Sequence, residues 1–178
     1  MIGFLYRIIL ALNATSWMIV IYGIKSNWLF VANSRLITSL LLLVIPILLS
    51  IISLFLSKWF SVSNDRMTNC KMIQLADNEF LPVYLGYFFV ALSIPNLYTL
   101  WFVYCIVFCF SFLSQTQYFN PIFLLIGFHY YHIDTSKGTR IFVISHGKVI
   151  RSPEEINFER LKRVNDTTYI AVKEKENA

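Results

Sequence analysis

The sequence predicts a membrane α-helical protein, with about four transmembrane helices followed by a small cytosolic α+β domain. Two observations carry that expectation. Hydrophobic residues make up 57% of the 178 residues and charged residues only 14%, against about 45–50% and about 25% in soluble globular domains. The charges are also unevenly placed, scarce before Lys58 and frequent after Asp134, as when a lipid-embedded part precedes a water-exposed one. A soluble domain of this length has too little interior to hide so much apolar surface.

A hydrocarbon core of roughly 30 Å takes about 20 helical residues. The first apolar segment, at about 4–24, carries Arg7 near its start. No small-x-small site closes it cleanly, so it reads as a retained helix and not as a cleaved signal. The second segment, at about 36–57, contains LLLVIPILLSIISLFL. The stretch from Phe80 to Tyr118 is about twice too long for one crossing, and Ile94-Pro95-Asn96 lies near its middle. Proline removes an amide donor and turns the residue before it away from helical geometry. A helical hairpin follows, with helices at about 80–94 and 97–117, closing a transmembrane domain at 1–118.

Lys and Arg collect on the cytoplasmic side of membrane proteins. With four crossings and both termini cytoplasmic, thirteen of the fifteen Lys and Arg lie inside, and only Lys25 and Arg35 lie outside. Lys58, Arg66 and Lys71 fall in the inner loop between the second and third spans. Trp28, Trp59 and Trp101 stand near span ends, where aromatic anchors belong.

From residue 119 the apolar pattern gives way to alternation, and residues 119–178 are expected to form the cytosolic domain. GFHYYHIDT reads as a strand, Ser136-Lys137-Gly138 as a turn and TRIFVISHG as a second strand. Ser152, Pro153 and Glu155 resemble a capping box with proline at its first helical position. They predict a helix to about Val164, with Ile156, Leu161 and Val164 inward and an end near Asn165. TTYIAV reads as a third strand. A module of this size is marginal alone, so it is expected to lean on the helices, on a copy of itself or on a partner.

The function classes are bounded mostly by what is missing. The three apolar stretches contain no Asp, Glu, Lys, Arg or His between Ile8 and Ile24, Leu36 and Ser57, or Phe80 and Tyr118. Ion-coupled transporters place ionisable groups there, so a transporter is not expected. No HExxH, CxxC, GxSxG or phosphate loop occurs, so neither an enzyme nor a cofactor or metal is expected. His129 and His132 are three apart on a strand and point to opposite faces; His146 lies at the far end of the hairpin. Cys105 and Cys109 sit one helical turn apart in an apolar run, and with Cys70 they form no framework.

Two constellations remain as candidate sites. Ser39, Pro46, Ser50, Ser53 and Ser57 fall on one face of the second helix. Small and hydroxyl side chains there pack helices closely; the other reading is a polar pore lining shared by several subunits. Asn13, Thr15 and Ser16 place a polar patch in the first helix, suited to interhelical hydrogen bonds. In the tail, Lys148, Arg151, Arg160, Lys162 and Arg163 form either a solvated face, attracted to nearby anionic headgroups, or a partner-docking surface. Nine basic against seven acidic residues after position 120 fall short of the basic excess of a nucleic-acid binder.

Four short spans followed by NPIFLLIGFHYYHIDTSKGTRIFVISH, with YIAV near the end, resemble the membrane subunit family of the bacterial Kiwa anti-phage defence system, KwaA. The resemblance carries no catalytic residues. It implies a multi-pass inner-membrane protein that assembles as a homo-oligomer, a tetramer, among membrane lipids. It implies a cytosolic DNA-binding partner, KwaB. It further implies a sensor and scaffold that detects phage attachment or envelope disturbance and recruits or activates that effector. The competing readings are an oligomeric pore or membrane-perturbing effector, and an accessory subunit of a larger envelope complex.

Overall fold

Helix α1 (Ile2–Ser26) is the hub of the helical part, and three further helices pack around it: α2 (Arg35–Ser57), α3 (Phe80–Ser93) and α4 (Leu97–Ser114). A helix that packs on three others buries more than one stripe, and Tyr6, Leu10, Ala11, Asn13, Thr15, Met18 and Val20 of α1 are all buried. The computed structural model describes residues 2–27, 34–57, 70–114, 118–136, 138–156, 158 and 160–171. Trp28, Lys58, Trp59, Arg66 and Lys137, and the expected end of the fourth helix at 115–117, lie outside the described residues.

Helix α2 touches the bundle along one stripe. Its buried residues are Thr38, Leu42, Pro46, Ser50 and Ser53, three or four apart as one helical face requires. Leu36, Leu40, Val44, Leu48 and Phe55 remain exposed. Gly23 of α1 permits the close approach: a Cβ there would lie 3.0 Å from Leu42 Cδ1.

The helix break at Ile94-Pro95-Asn96 falls where the sequence places it. Ile94 is extended, with φ −66° and ψ 123°, as a residue before proline prefers. The Asn96 carboxamide oxygen caps α4, accepting from the Thr99 amide at 2.9 Å and its hydroxyl at 3.0 Å. Lys25, in the last turn of α1, donates to the carbonyls of Leu92 at 2.5 Å and Ile94 at 2.8 Å. A cation there satisfies acceptors that the end of α3 leaves open. Helices α1, α2 and α4 are long and apolar enough to cross a membrane. The 14 residues of α3 span about 21 Å at 1.5 Å per residue.

A five-stranded sheet closes the end of the bundle where α1 begins and α2 and α4 finish. In chain order its strands are β1 (Cys70–Leu75), β2 (Phe128–Thr135), β3 (Arg140–His146), β4 (Leu161–Arg163) and β5 (Thr168–Ala171). Spatially the order is β1-β2-β3-β5-β4. All neighbours are antiparallel except β3 and β5. The register sets Tyr130 opposite Ile144 and Tyr131 opposite Val143, so alternation builds a core on each face. Tyr130, Phe142 and Ile144 face the helices, packing on Phe119, Phe123 and Ala76. Tyr131, Ile133, Ile141 and Val143 face away and are covered by Ile156, Phe158 and Leu161. A short helix, α5 (Pro121–Leu125), fills the corner between bundle and sheet.

The expected hairpin and final strand are present. The helix expected from Ser152 to Val164 is not. Pro153–Glu155 form one 3-10 turn, and Ile156 is already extended, with ψ 113°. Ser152 makes no capping bond. Half of the capping box forms one residue early, with the Arg151 amide donating to the Glu155 carboxylate at 3.1 Å. Beyond it a spacing of two decides the outcome: Ile156 and Phe158 enter the same core, and Leu161 to Arg163 join the sheet. Asn165 is a turn residue, its carboxamide oxygen accepting from the Thr167 amide at 2.8 Å and the Thr168 amide at 2.6 Å. Strand β1 comes from the segment between α2 and α3, so residues 119–178 do not make the sheet alone.

Leu161 is buried and Arg160 beside it is exposed. Leu161→Ala is therefore expected to cost about 2–5 kcal/mol, and Arg160→Ala less than about 0.5 kcal/mol. Thermal unfolding of the purified chain separates the two.

Candidate functional site at the helix–sheet junction

Asn120 is the N-cap of α5. Its side-chain oxygen accepts from the Ile122 amide at 3.0 Å, and Pro121 takes the position where no amide hydrogen is needed. The remaining groups of Asn120 reach in two directions. Toward the helices, Nδ2 donates to Ser50 Oγ at 2.7 Å. Toward the sheet, its backbone amide donates to Tyr130 Oη at 2.9 Å, and that phenol donates to its carbonyl at 3.2 Å. Asn120, Ser50 and Tyr130 are all buried.

Ser50 Oγ also donates to the Pro46 carbonyl at 2.6 Å, and Asn13 Oδ1 lies 3.2 Å away. A hydroxyl has one proton and two lone pairs. Pro46 and Asn13 Oδ1 therefore compete for that proton, while the buried Asn13 Nδ2 has no partner. Turning the Asn13 amide over gives Nδ2 to the second lone pair of Ser50 and matches both groups. One serine thus ties α1, α2 and the entry to the sheet. Tyr130 is held by stacking on Phe142, with ring centroids 5.7 Å apart, and by an edge contact to Phe119 at 5.0 Å. Burial pushes its phenol far above the usual range, and the hydrogen bond to Asn120 offsets part of that rise.

Further tethers surround this centre. Lys162 Nζ donates to the Ser57 carbonyl at 2.7 Å, at the end of α2. Burial lowers its pKa. His129 Nδ1 meets Asp77 at 2.6 Å, and His132 Nε2 meets Glu79 at 2.9 Å. Both carboxylates stand on the link between β1 and α3. The Asp77 carboxylate also accepts from the Tyr130 amide at 2.7 Å. Tyr84 of α3 donates to the Phe119 carbonyl at 2.8 Å. The end of α2 and the start of α3 are therefore pinned to the sheet and its entry by polar contacts as well as by packing.

The serine face is a seam within one chain. Pro46, Ser50 and Ser53 are buried on the face of α2 turned to α1. Ser39 donates to Arg35 and Ser57 to Leu54 along their own helix. Pro46, Ser50 and Ser53 are covered within the bundle, whereas Ser39 and Ser57 are only partly buried. Thr15 bonds across to Tyr104 at 3.2 Å, and Ser16 bonds back to Asn13. The basic residues do not share a helical turn, because Leu161 to Arg163 are extended. Lys162 turns toward α2, and Arg163 pairs with Asp166 at 2.7 Å. Lys148, Arg151 and Arg160 are exposed. His129 and His132 face opposite sides of β2, and among the described residues no three His, Cys, Asp or Glu side chains converge as metal ligands would. Cys105 and Cys109 are exposed on α4.

The sequence model of the family described as anti-phage protein KwaA matches residues 6–170. The chain belongs to that family. No curated protein and no solved structure matches it. The match runs from Tyr6 near the start of α1 to Ile170 in β5, so the KwaA pattern takes in bundle, junction and sheet together. Sequence reading singled out Asn13, Ser50, Asn120 and Pro121 separately. It missed that they meet, and it missed β1, Asp77, Glu79 and Tyr130. The one available signal for a buried junction was the Asn-Pro pair just ahead of an apolar run, which marks a capped turn.

In this KwaA chain Ser50→Ala leaves two buried amide groups without a partner. A loss of about 1–3 kcal/mol is expected, with Asn13→Ala and Ser50→Ala non-additive in a double-mutant cycle read by thermal unfolding. Tyr130 sets a pH dependence. A phenol held protonated in the fold but free to ionise near pH 10 when unfolded binds more protons in the native state. Its stabilisation is complete below about pH 10 and lost as pH rises beyond it, so Tyr130→Phe flattens the alkaline limb of the stability–pH curve.

Proposed function

We propose that this chain is the membrane-embedded sensor and scaffold of an anti-phage complex, coupling its helices to a cytosolic output sheet. Four crossings of the bacterial inner membrane put both termini and the sheet in the cytoplasm, with thirteen of the fifteen Lys and Arg on that side. The short α3 crosses with the help of Lys25, which closes its far end. The signal read is phage attachment or envelope disturbance. The output is recruitment or activation of the cytosolic DNA-binding Kiwa partner KwaB, with no chemistry and no direct nucleic-acid contact by this chain. A homotetramer is the working assembly.

The observation that carries this reading is the Asn13–Ser50–Asn120–Tyr130 network. It is a polar link by which a shift of α1 against α2 reaches the sheet, because both helices and the N-cap of α5 meet at one hydroxyl. Coupling of this kind needs an element that both ends bias, and Asn120 holds hydrogen bonds to both. Lys148, Arg151 and Arg160, exposed and in no salt bridge among the described residues, suit the docking surface.

Bacteria carrying the complete defence locus with Ser50→Ala are expected to keep membrane insertion and capture of the partner, but to lose at least about tenfold in plaque protection. Full protection from the uncoupled junction would refute the coupling. Charge reversal at Arg151 and Arg160 should instead reduce co-purification of the DNA-binding partner, and unchanged capture would remove those residues from the docking surface.

A further inference from the structure

Near the sheet, α3 and α4 stand apart and leave a cleft of about 230 Å³. Ala14 of α1 lines it, with Val83 and Tyr87 of α3, Ser111 and Ser114 of α4, and Tyr118 below. The Tyr87 and Ser111 hydroxyls satisfy each other across it at 3.1 Å, and Tyr84 is engaged with Phe119. The lining hydroxyls are thus largely committed to protein, and the space favours an apolar guest. At roughly 30 Å³ for a water-sized group, it holds about eight such groups. That suits part of one acyl chain and is far too narrow for a helix about 10 Å across.

Arg7 stands below this cleft. It lies seven residues before Ala14, on the same face of α1 and about 10 Å nearer the sheet. It is half-buried and makes no salt bridge among the described residues. It is close enough to Tyr118 to act on that phenol, whose pKa burial raises and whose rise the guanidinium partly offsets. An apolar slot with an unmatched cation at its cytoplasmic end has the chemistry of one ligand.

We infer that the cleft between α3 and α4 binds an anionic phospholipid, with an acyl chain beside Ala14 and the phosphate on Arg7. The inference rests on the membrane insertion proposed above and adds a lipid class to it. One bound lipid wedged between two helices that pack on α1 would make the bundle responsive to the composition and order of the inner leaflet.

The test uses the full chain in vesicles carrying photoreactive phosphatidylglycerol or photoreactive phosphatidylcholine. The wild type is expected to be labelled on α3 and α4 about fivefold more by the anionic probe, the ratio for about 1 kcal/mol from one basic residue. Arg7→Gln should equalise the two probes. Ser114→Trp, placed at an exposed rim position, should lower labelling by both without disturbing the core. Equal labelling of the wild type by the two probes, or undiminished labelling of Ser114→Trp, overturns the site. Copies joined through Ser114→Cys by a disulfide would give the cleft to a neighbouring subunit and also overturn it. Alkaline extraction is read separately: an extractable chain removes the insertion reading and this site together, whereas a retained chain without lipid selectivity removes this site alone.

Discussion

Where the chain leaves its last long helix and turns into the sheet, it must bury backbone that neither element can satisfy. Asn120 resolves this. Both ends of its carboxamide and both of its backbone groups are engaged, by Ile122, Ser50 and Tyr130. A buried polar group left unmatched is costly, so few arrangements of helices and sheet keep all these partners within reach. The geometry of the junction follows from that restriction. Tyr130 can enter the sheet core only with its hydroxyl at Asn120, and Ser50 can face Asn120 only if α2 lies on α1 along the Pro46–Ser53 stripe.

The helical part obeys the same economy. Its buried polar side chains are uncharged, and Thr15, Ser16 and Ser50 bond to a neighbouring helix or back to their own. Lys25 and Arg7 stand near opposite ends of α1. Lys25 spends its charge on the open carbonyls of α3, whereas Arg7 has no acidic partner among the described residues. Helix α2 contributes one stripe to the bundle and leaves a broad apolar surface outside.

The sheet is assembled from two separate stretches of chain. Strand β1 pairs with β2 and is followed at once by Asp77 and Glu79, which hold His129 and His132 from either side of β2. The start of α3 is thereby fixed to the sheet, as Ser57 at the end of α2 is fixed by Lys162. Among the described residues the sheet and its entry are joined to the helices and their ends at several points.

Composition and periodicity by themselves determined the apolar helices, their approximate limits and the break at Pro95, because hydrophobic run length and proline geometry are local properties. They also determined the hairpin at residues 128–146, where alternation and turn residues agree, and the Asn120-Pro121 junction and YIAV tail carried the family resemblance. Tertiary structure decided the rest. The capping residues at Ser152 to Glu155 begin a helix, but the pairing of Leu161 to Arg163 with β5 and the burial of Ile156 and Phe158 under the sheet outweigh that local signal. Strand β1 has little alternation of its own and becomes a strand only because β2 offers an edge. Asn13, Ser50, Asn120 and Tyr130 are far apart in the chain, and nothing in their spacing states that they meet. Hydrogen bonds between distant residues are properties of the packed fold, visible only once the helices and sheet have closed on one another.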